Sequence, residues 1–389
     1  MQFRRSCAAL ALTCAALAPL ASAAAPTAPS ATGSAAAPAP AIAAPAFLLL
    51  DVTSGQVIVS QGADDHREPA SLTKLMTAYL AFGALRDKTI TPSQMVNVSE
   101  NAWRAEGSRM FIEPRKAVSV DELLHGMIVQ SGNDASVALA ELVAGSEPAF
   151  ADRMNAEAAR LGLANTHFVN ATGLSQPQHY SSASDLGRLA AALIRDFPEY
   201  YPLYSLKEFR YNNISQPNRN RLLWIDPYVD GVKTGHTDAA GWCLIASAKR
   251  GERRLLSVVL GAASDAARAG ENQKLLNYGF IAFDTIELYA PGQPVSTLRV
   301  WKGAGNDVGA GFAARRFVTV PKGKADKLQL TMSATEPLLA PVAKGQPVGT
   351  VRVALDGKPL AEFTLVSLAD VPSASVFGRA WDTVRLWFR

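Results

Sequence analysis

The stretch PASLTKLMTAYL, residues 69–80, is the part of the sequence that most directly predicts both a fold and a chemistry. Behind Pro69, large apolar side chains recur at helical spacing, so the stretch predicts a helix that begins at Ser71. Lys74 follows Ser71 by three positions. A hydroxyl and an amine are therefore expected one turn apart on one face, near the positive end of the helix.

A serine hydroxyl is a weak nucleophile until a base accepts its proton. A neutral lysine amine within hydrogen-bond reach can be that base, provided that burial or a neighbouring cation lowers its pKa toward the working pH. The spacing alone is a weak signal, because a Ser-x-x-Lys pattern occurs by chance about once in a chain of this length. Ser71 and Lys74 are thus a candidate nucleophile and base that need support from other motifs.

Two further motifs supply that support. Residues 131–133 (SGN) lie at a predicted boundary between helices and offer a second hydroxyl and an amide, although a helix cap is the alternative interpretation. Residues 233–235 (KTG) open a strand-like stretch, and this tripeptide is expected in only about one chain in ten of this size. Its alternative is a lysine at a strand edge before a turn. The three motifs in this order predict a serine acyl-transfer enzyme.

The N-terminus has the pattern of a secretory signal. It carries Arg4 and Arg5, then an apolar stretch over residues 8–20 and a small-residue cleavage pattern at 21–23 (ASA). The apolar stretch is too short to span a membrane as a helix. We expect residues 1–23 to be removed on export, which lowers the formal net charge from +4 to +2. Such a balanced chain gives no argument for a nucleic-acid partner.

Cysteine usage limits what can stabilise the exported chain. Of the three cysteines only Cys243 lies outside the signal, so no internal disulfide is available and the core must supply the stability. With 389 residues, 48% of them apolar, the chain can build the cores of two domains. Cys243 lies in an apolar run and is expected to be buried packing. The histidines show no ligand spacing with each other or with Cys243, so we expect no metal and no other cofactor.

The remaining organisation follows from composition and periodicity. Residues 24–45 are nearly all small residues and proline, which predicts a disordered leader. A strand pair at residues 47–51 and 56–60 should open the folded part. One predicted helix begins at residue 71. The other predicted helices span 120–129, 133–144, 148–161, 184–194 and 268–279, and further strands are predicted at 241–248 and 255–262. From residue 284 to 371, short alternating runs predict an all-β domain, including a hairpin turn at residues 356–359 (DGKP).

The tail, residues 372–389, predicts an amphipathic helix. Two sets of side chains lie on opposite faces of the helical wheel: Phe377, Trp381, Val384 and Phe388 on one, and Arg379, Asp382, Arg385 and Arg389 on the other. An aromatic face with arginines behind it is typical of a helix at a membrane surface. The alternative is a last helix docked on the β domain.

The three motifs, extended to residues 69–74 (PASLTK), 131–135 (SGNDA) and 230–237 (DGVKTGHT), resemble those of the active-serine penicillin-recognising proteins. They resemble in particular the low-molecular-mass penicillin-binding proteins that are D-alanyl-D-alanine carboxypeptidases, serine peptidase family S11. The resemblance covers roughly residues 46–371 and the tail.

The resemblance implies an architecture. The fold class is α/β (α+β): a penicillin-binding/β-lactamase-like catalytic domain over residues 46–283, with an antiparallel sheet flanked by helices. A smaller β-sandwich domain would follow over 284–371 and a membrane-anchor helix over 372–389. The chain would act at the periplasmic face of the bacterial inner membrane.

The resemblance also implies roles for the reacting groups. Ser71 would attack the carbonyl between the two D-alanines that end a peptidoglycan stem peptide, while Lys74 accepts its proton. Backbone NH groups of Ser71 and His236 would form the oxyanion hole. Ser131 would pass a proton to the departing D-alanine. β-Lactam antibiotics would acylate Ser71 in place of the substrate.

Substrate-holding roles come from the same resemblance. Asn133 would hold the substrate amide, Lys233 would disfavour protonation of the base, and Thr234 would bind the terminal carboxylate. Gly235 would leave room for the substrate along the strand edge. Arg268 matches an arginine that recognises the same carboxylate, although a surface arginine at a helix N-terminus is the alternative.

Three other functions stay open on the residues alone. A β-lactamase would share the motifs but needs machinery for fast deacylation. A D,D-endopeptidase that cuts cross-links would use the same acyl-enzyme. A non-catalytic wall-binding scaffold could keep the fold without the reaction.

Overall fold

The structure is a computed structural model and describes residues 38–387. Its strands are β1 (Ala46–Asp51), β2 (Gln56–Gln61), β3 (Met95–Val96), β4 (Val118–Ser119), β5 (Glu208–Tyr211), β6 (Ile214–Pro217), β7 (Val229–Thr237), β8 (Gly241–Arg250), β9 (Arg253–Ala262), β10 (Phe283–Tyr289), β11 (Pro294–Trp301), β12 (Asp307–Gly311), β13 (Arg316–Pro321), β14 (Leu328–Ala334), β15 (Leu338–Leu339), β16 (Pro347–Leu355) and β17 (Lys358–Ser367).

The α-helices are α1 (Lys74–Arg86), α2 (Glu100–Trp103), α3 (Val120–His125), α4 (Asn133–Ala144), α5 (Glu147–Arg160), α6 (Ala183–Asp196), α7 (Leu222–Ile225), α8 (Asp265–Ala282) and α9 (Val376–Trp387). Shorter 3-10 turns lie at Ala70–Thr73, Tyr201–Ser205 and Ala325–Lys327, and a π-helical turn lies at Gly126–Gln130.

A five-stranded antiparallel sheet forms the middle of the first domain, in the order β2-β1-β9-β8-β7. Alternate residues of β1 enter two different cores: Leu48 belongs to the cluster that includes α1 and α6, and Leu49 to the cluster that includes α8. Helices thus cover both faces, which is why β1 is a continuous apolar run and not an alternating one. The order leaves β7 at an edge of the sheet.

Helix α1 lies inside the larger core and is buried nearly all round, from Lys74 to Leu85. The sequence predicts this helix from Ser71, but the α-helix begins at Lys74 and a 3-10 turn precedes it. Residues three apart are eclipsed in a 3-10 turn. The side chains of Ser71 and Lys74 are therefore more closely aligned along the turn than they would be in an α-helix.

The second domain is all-β apart from one 3-10 turn. Its larger sheet has the order β14-β16-β17-β12-β11-β15, and β10 pairs with β13 in a second sheet. Valines of both sheets, among them Val318 and Val351, share one core. The β16–β17 hairpin turns at Asp356 and Gly357, whose φ angles of 48° and 77° are those of a tight two-residue turn. The predicted fold class, a mixed helix and strand domain followed by an all-β domain, is confirmed.

A buried carboxylate links the two domains. Asp51 of β1 is fully buried and accepts from Arg253 Nε at 2.9 Å and from Thr319 Oγ1 of β13 at 2.9 Å, and also from Thr285 of β10. In addition, the Thr319 amide donates to Gln56 Oε1 at 2.6 Å. A buried carboxylate is costly unless such donors surround it, so these bonds hold the domains in one arrangement.

The predicted leader ends earlier than expected. Ile42 and Ala44 pack on the apolar cluster beneath α8, so the end of the 24–45 segment belongs to the folded body. Ile42 is a large apolar side chain within a segment that otherwise lacks them, and its burial compensates the entropy of ordering these residues. The signal at 1–23 and the rest of the leader to residue 37 lie outside the described residues.

The tail forms α9, attached to the second domain through its polar side. Asp382 accepts from the Lys302 amide at 2.6 Å, and the Ala374 amide donates to the Lys302 carbonyl at 2.8 Å. The opposite side is open: Phe377 is 89% and Trp381 62% exposed. Phe388 and Arg389 lie outside the described residues. Within residues 38–387 no helix combines the length and apolar character needed to cross a membrane.

Candidate active site

The Lys74 amine is held by three oxygen atoms. Its Nζ donates to Asn133 Oδ1 and to the Thr172 carbonyl, both at 2.6 Å, and lies 3.0 Å from Ser71 Oγ. A neutral amine has two hydrogens, and the first two contacts use both. The remaining lone pair then faces the Ser71 hydroxyl, which is the arrangement that general-base activation of a serine requires.

Burial brings the pKa of this amine close to physiological pH. Lys74 is 1% exposed, and burial together with the Arg219 guanidinium lowers its pKa to about 7, while Asp134 acts in the opposite direction. The charged form of a lysine is disfavoured by loss of water and by a neighbouring cation. The base is thus poised at the pH where it must accept a proton.

The expected role of Lys233, a cation that disfavours protonation of Lys74, stays a prediction. Lys233 is 3% exposed, and burial, with Lys74 and Arg219 as neighbouring cations, holds its own pKa well below the ordinary lysine range. Arg219, which stays charged, is a cation that disfavours protonation of Lys74.

Ser131 follows the π-helical turn and has a left-handed backbone, with φ 66° and ψ 34°. This conformation is uncommon outside glycine and marks a position held by its surroundings. Its Oγ is buried and makes no hydrogen bond within the described part of the chain. The Ser131 hydroxyl is therefore free to hydrogen-bond a molecule in the cavity.

Asn133 opens α4 and lies behind Lys74. Its Oδ1 accepts from Lys74, and its Nδ2 donates to the Glu106 carbonyl at 2.6 Å. Both ends of the amide are therefore engaged by the protein. Asn133 thus contacts the base directly, and its contact with the substrate amide stays a prediction.

Gly235 lies on β7 with Thr234, at the unpaired edge of the sheet. A Cβ atom at 235 would lie 3.0 Å from the Pro69 carbonyl oxygen and 3.2 Å from the Ser71 nitrogen. The glycine thus makes room for the turn that carries the nucleophile. A side chain here would also crowd the NH proposed for the oxyanion hole, and the expected room for the substrate stays a prediction.

An open cavity of about 810 Å³ joins these groups. It is lined by Ser71, Gly107, Ser108, Gln130, Ser131, Pro217, Asn218, Arg219, Arg221, Thr234, Gly235, His236, Trp242, Asp265 and Arg268. Lys74, Asn133 and Lys233 lie behind this surface and are buried. The structure therefore brings all nine predicted site residues to one cavity or to the layer beneath it.

Arg268 belongs to the wall of the cavity. It is 4% exposed, donates to the Gly235 carbonyl at 2.9 Å, pairs with Asp265 at 2.5 Å, and lies over the Trp242 ring at 4.9 Å. The alternative of a free surface arginine is thereby excluded. His236 is exposed and stacks on the same ring, with centroids 4.0 Å apart.

Sequence reasoning missed Arg219, Arg221 and Thr172. The two arginines reach the cavity from the segment between β6 and α7, and Thr172 contributes only a backbone carbonyl. The run QPNRNR at residues 216–221 carries two closely spaced arginines, which was the available signal for the first two. The contact of Lys74 with the Thr172 carbonyl involves the backbone, so no pattern of side chains in the sequence indicates it.

A serine beside a buried neutral lysine, with a sheet edge and a second serine in the same cavity, defines a serine acyl-transfer site with a lysine base. Residues 32–264 match the family described as D-alanyl-D-alanine carboxypeptidase, peptidase S11, and residues 283–373 match the penicillin-binding protein 5 C-terminal domain. The chain belongs to the peptidase S11 D-alanyl-D-alanine carboxypeptidase family, and the predicted resemblance is confirmed.

Individual relatives agree over most of the length. The chain is 44% identical over 351 residues to D-alanyl-D-alanine carboxypeptidase DacC of Escherichia coli strain K12, covering 88% of each chain. It is 42% identical over 342 residues to DacA of Haemophilus influenzae, covering 86% of this chain and 87% of the relative. The crystal structure of penicillin binding protein 5 from H. influenzae superposes with a TM-score of 0.82 at 43% identity. The superposition covers 86% of this chain and 99% of that one.

Proposed function

We propose that this protein is a serine-type D-Ala-D-Ala carboxypeptidase that removes the terminal D-alanine from peptidoglycan stem peptides. The observation that carries the proposal is the buried Lys74 amine, whose Nζ lies 2.6 Å from Asn133 Oδ1 and from the Thr172 carbonyl and 3.0 Å from Ser71 Oγ. Family membership and the relatives' printed activity support the same reaction.

The reaction takes two steps. Ser71 Oγ attacks the carbonyl carbon of the penultimate D-alanine while its proton passes to Lys74, and the oxyanion accepts from the backbone NH groups of Ser71 and His236. The peptide C–N bond then breaks, and the departing amine takes a proton through Ser131. Water attacks the resulting ester, the serine recovers its proton, and the shortened peptide leaves.

The charge of the cavity suits a carboxylate-terminated peptide. Arg219, Arg221 and Arg268 line it together with one acid, Asp265, which pairs with Arg221 at 3.5 Å and with Arg268 at 2.5 Å. The net positive charge favours the terminal carboxylate, with Thr234 as a hydroxyl donor. The unpaired β7 edge can hydrogen-bond the extended backbone of the stem peptide.

The proposal predicts that benzylpenicillin acylates Ser71, because the β-lactam amide takes the place of the scissile bond. Intact mass spectrometry should find one penicillin added to the wild type and none to Ser71→Ala. Ser108→Ala, which alters another hydroxyl in the cavity, is the matched control and should keep the adduct. An adduct on Ser71→Ala would refute the assignment of the nucleophile.

The substrate assay separates the related activities. A diacetylated tripeptide ending in D-Ala-D-Ala should lose one D-alanine in the presence of the wild type. Cleavage of cross-linked dimers without D-alanine release would indicate the endopeptidase. Rapid loss of the penicillin adduct as hydrolysed drug would indicate a β-lactamase, whereas neither adduct nor release would indicate a scaffold.

The lysine base predicts an acid limit to activity. Only the neutral amine accepts a proton, and burial lowers the pKa of Lys74 to about 7, so the acylation rate should be level above pH 7 and fall about tenfold per pH unit below it. Stopped-flow acylation at pH 5–9 measures this. His236→Asn keeps the backbone NH, so the acid limit of its acylation rate should stay near pH 7. If that limit disappeared in the variant, Lys74 would not be the group that sets it.

We infer further that α9 holds the protein at the periplasmic face of the bacterial inner membrane. Phe377, Trp381 and Trp387 are 89%, 62% and 83% exposed, which is typical of a helix that lies in an interface. The polar side is used by the Asp382 contact to the second domain, so the apolar side is free to meet lipid.

Truncation tests the anchor. A chain ending at Val371 should lose about tenfold or more of its binding to vesicles containing anionic lipid, because the aromatic face is removed. Cosedimentation measures the bound fraction, and the rate of penicillin acylation in solution should not change. The double variant Phe377→Ser/Trp381→Ser should behave like the truncation. Full binding by the truncated chain would contradict the anchor.

A further inference from the structure

A loop formed by residues 106–112 makes one wall of the cavity and is docked on the start of α4. The Asn133 amide nitrogen donates to the Ser108 carbonyl at 2.6 Å, and Asn133 Nδ2 donates to the Glu106 carbonyl at 2.6 Å. Gly107 and Ser108 face the cavity. The position of this wall is therefore coupled to the amide that orients Lys74.

Asp134, the next residue, fastens the other end of the loop. Its carboxylate is fully buried and accepts from the backbone NH groups of Met110 at 3.0 Å, Phe111 at 2.8 Å and Ile112 at 3.2 Å. Phe111 has a φ of 70°, a left-handed conformation that a bulky residue adopts only when its surroundings impose it. Three bonds from one carboxylate impose it here.

The loop lies so close to residues 131–133 that it restricts which residue can occupy position 132. A Cβ at Gly132 would lie 2.8 Å from Asp134 Oδ1 and 3.2 Å from the Met110 nitrogen. The middle glycine of residues 131–133 thus makes room for this clamp. The mechanism described above uses Ser131 and Asn133 and leaves Asp134 without a role.

Asp134 also carries a buried charge near the base. The charged and titratable groups that face Lys74 are Lys233 on β7, Arg219 before α7, His179 before α6, and Asp134 on α4. Of these, Asp134 is the anion. Its own partner is Arg109, whose Nε lies 4.0 Å from Oδ2, and Tyr211 also lies within its field.

We propose that Asp134 is a positioning residue for the reaction: its carboxylate clamps the 106–112 loop onto Asn133 and sets a fixed negative charge behind the base. The loop bonds orient Lys74 through Asn133. The charge opposes the effect of Arg219, which keeps the neutral amine basic enough to take the serine proton. The inference rests on the proposed function, since it assigns a role relative to the Ser71 acylation step.

The test compares Asp134→Asn with Asp185→Asn. Asp185 is a matched control: a buried carboxylate in the first turn of α6 that fixes another loop, accepting from the Asn165 amide at 2.7 Å and from Thr166 Oγ1 at 2.8 Å, away from the cavity. Penicillin acylation is measured from pH 5 to 9. Asp134→Asn should lower the plateau rate about 10²-fold and move the acid limit down by about one pH unit. Asp185→Asn should move neither.

Arg109→Gln should shift the acid limit in the direction opposite to that of Asp134→Asn. It also keeps the inference testable should Asp134→Asn fail to fold. Arg109 is partly exposed, and its loss leaves the three backbone bonds in place while removing a cation next to the carboxylate. The acid limit should therefore move to higher pH. Acid limits that stay at the wild-type position in the variants that fold overturn the inference and leave the proposed function intact. A wild type that penicillin does not acylate overturns both.

Discussion

Lys74→Arg should lose acylation of Ser71 by about four orders of magnitude, because a guanidinium stays protonated at every pH at which the protein is folded. The arginine can still donate to Asn133 Oδ1 and to the Thr172 carbonyl, so the positive charge would be retained while the acceptor for the serine proton is lost. The amount of penicillin adduct after seconds to hours, followed by intact mass spectrometry, measures the rate.

Lys274→Arg is the matched control for this exchange. Lys274 lies on α8, is half exposed and pairs with Glu271 at 2.8 Å, so the same chemical change there should leave the acylation rate unaltered. Wild-type acylation by Lys74→Arg at any pH would rule out Lys74 as the base and with it the proposed mechanism.

Gly173→Ala should disrupt both stability and activity. Gly173 has a φ of 85°, and a Cβ there would lie 1.8 Å from the Ala70 carbonyl oxygen and 2.9 Å from Thr73 Oγ1. The turn that carries Ser71 would have to move, and so would the Thr172 carbonyl that holds Lys74. We expect a loss of about 3 kcal/mol in the free energy of unfolding and about 10²-fold in acylation.

Gly145→Ala separates backbone strain from the steric clash. Gly145 has nearly the same φ, 82°, at the end of α4, with nothing within 4 Å of its Cβ position. Its alanine variant should lose only about 1 kcal/mol in urea denaturation and keep its acylation rate. Equal effects of the two variants would show that the backbone angle, and not the packing against Ala70, decides the outcome.

The sequence predicts the reacting pair well because the chemistry is local. Ser71 and Lys74 are three positions apart, and a serine and a lysine at this spacing indicate a nucleophile and its base. The packing of Gly235 could not be predicted in this way, because its Cβ would contact the turn at Pro69 and Ser71, more than 160 positions away in the chain. The same holds for Arg219, which acts on Lys74 only through the fold.

The fold shows the same division. The leucines of β1 and the alternation of β16 predict strands directly, since burial on one or two faces leaves a period in the sequence. The π-helical turn at Gly126–Gln130 leaves no such period. The sequence predicts an unbroken helix there, and Ser131, which has the left-handed backbone, directly follows the turn.

The carboxylate of Asp51, enclosed by groups from both domains, has a consequence for where the enzyme can act. Bending at this junction would take the Asp51 carboxylate away from Thr319 and leave a buried charge with fewer partners, which opposes movement of one domain against the other. Under the proposed anchoring of α9 on lipid, this junction would keep the cleft at a set height above the membrane. The proposed enzyme would then trim stem peptides within a single layer of the wall, at a depth set by the second domain.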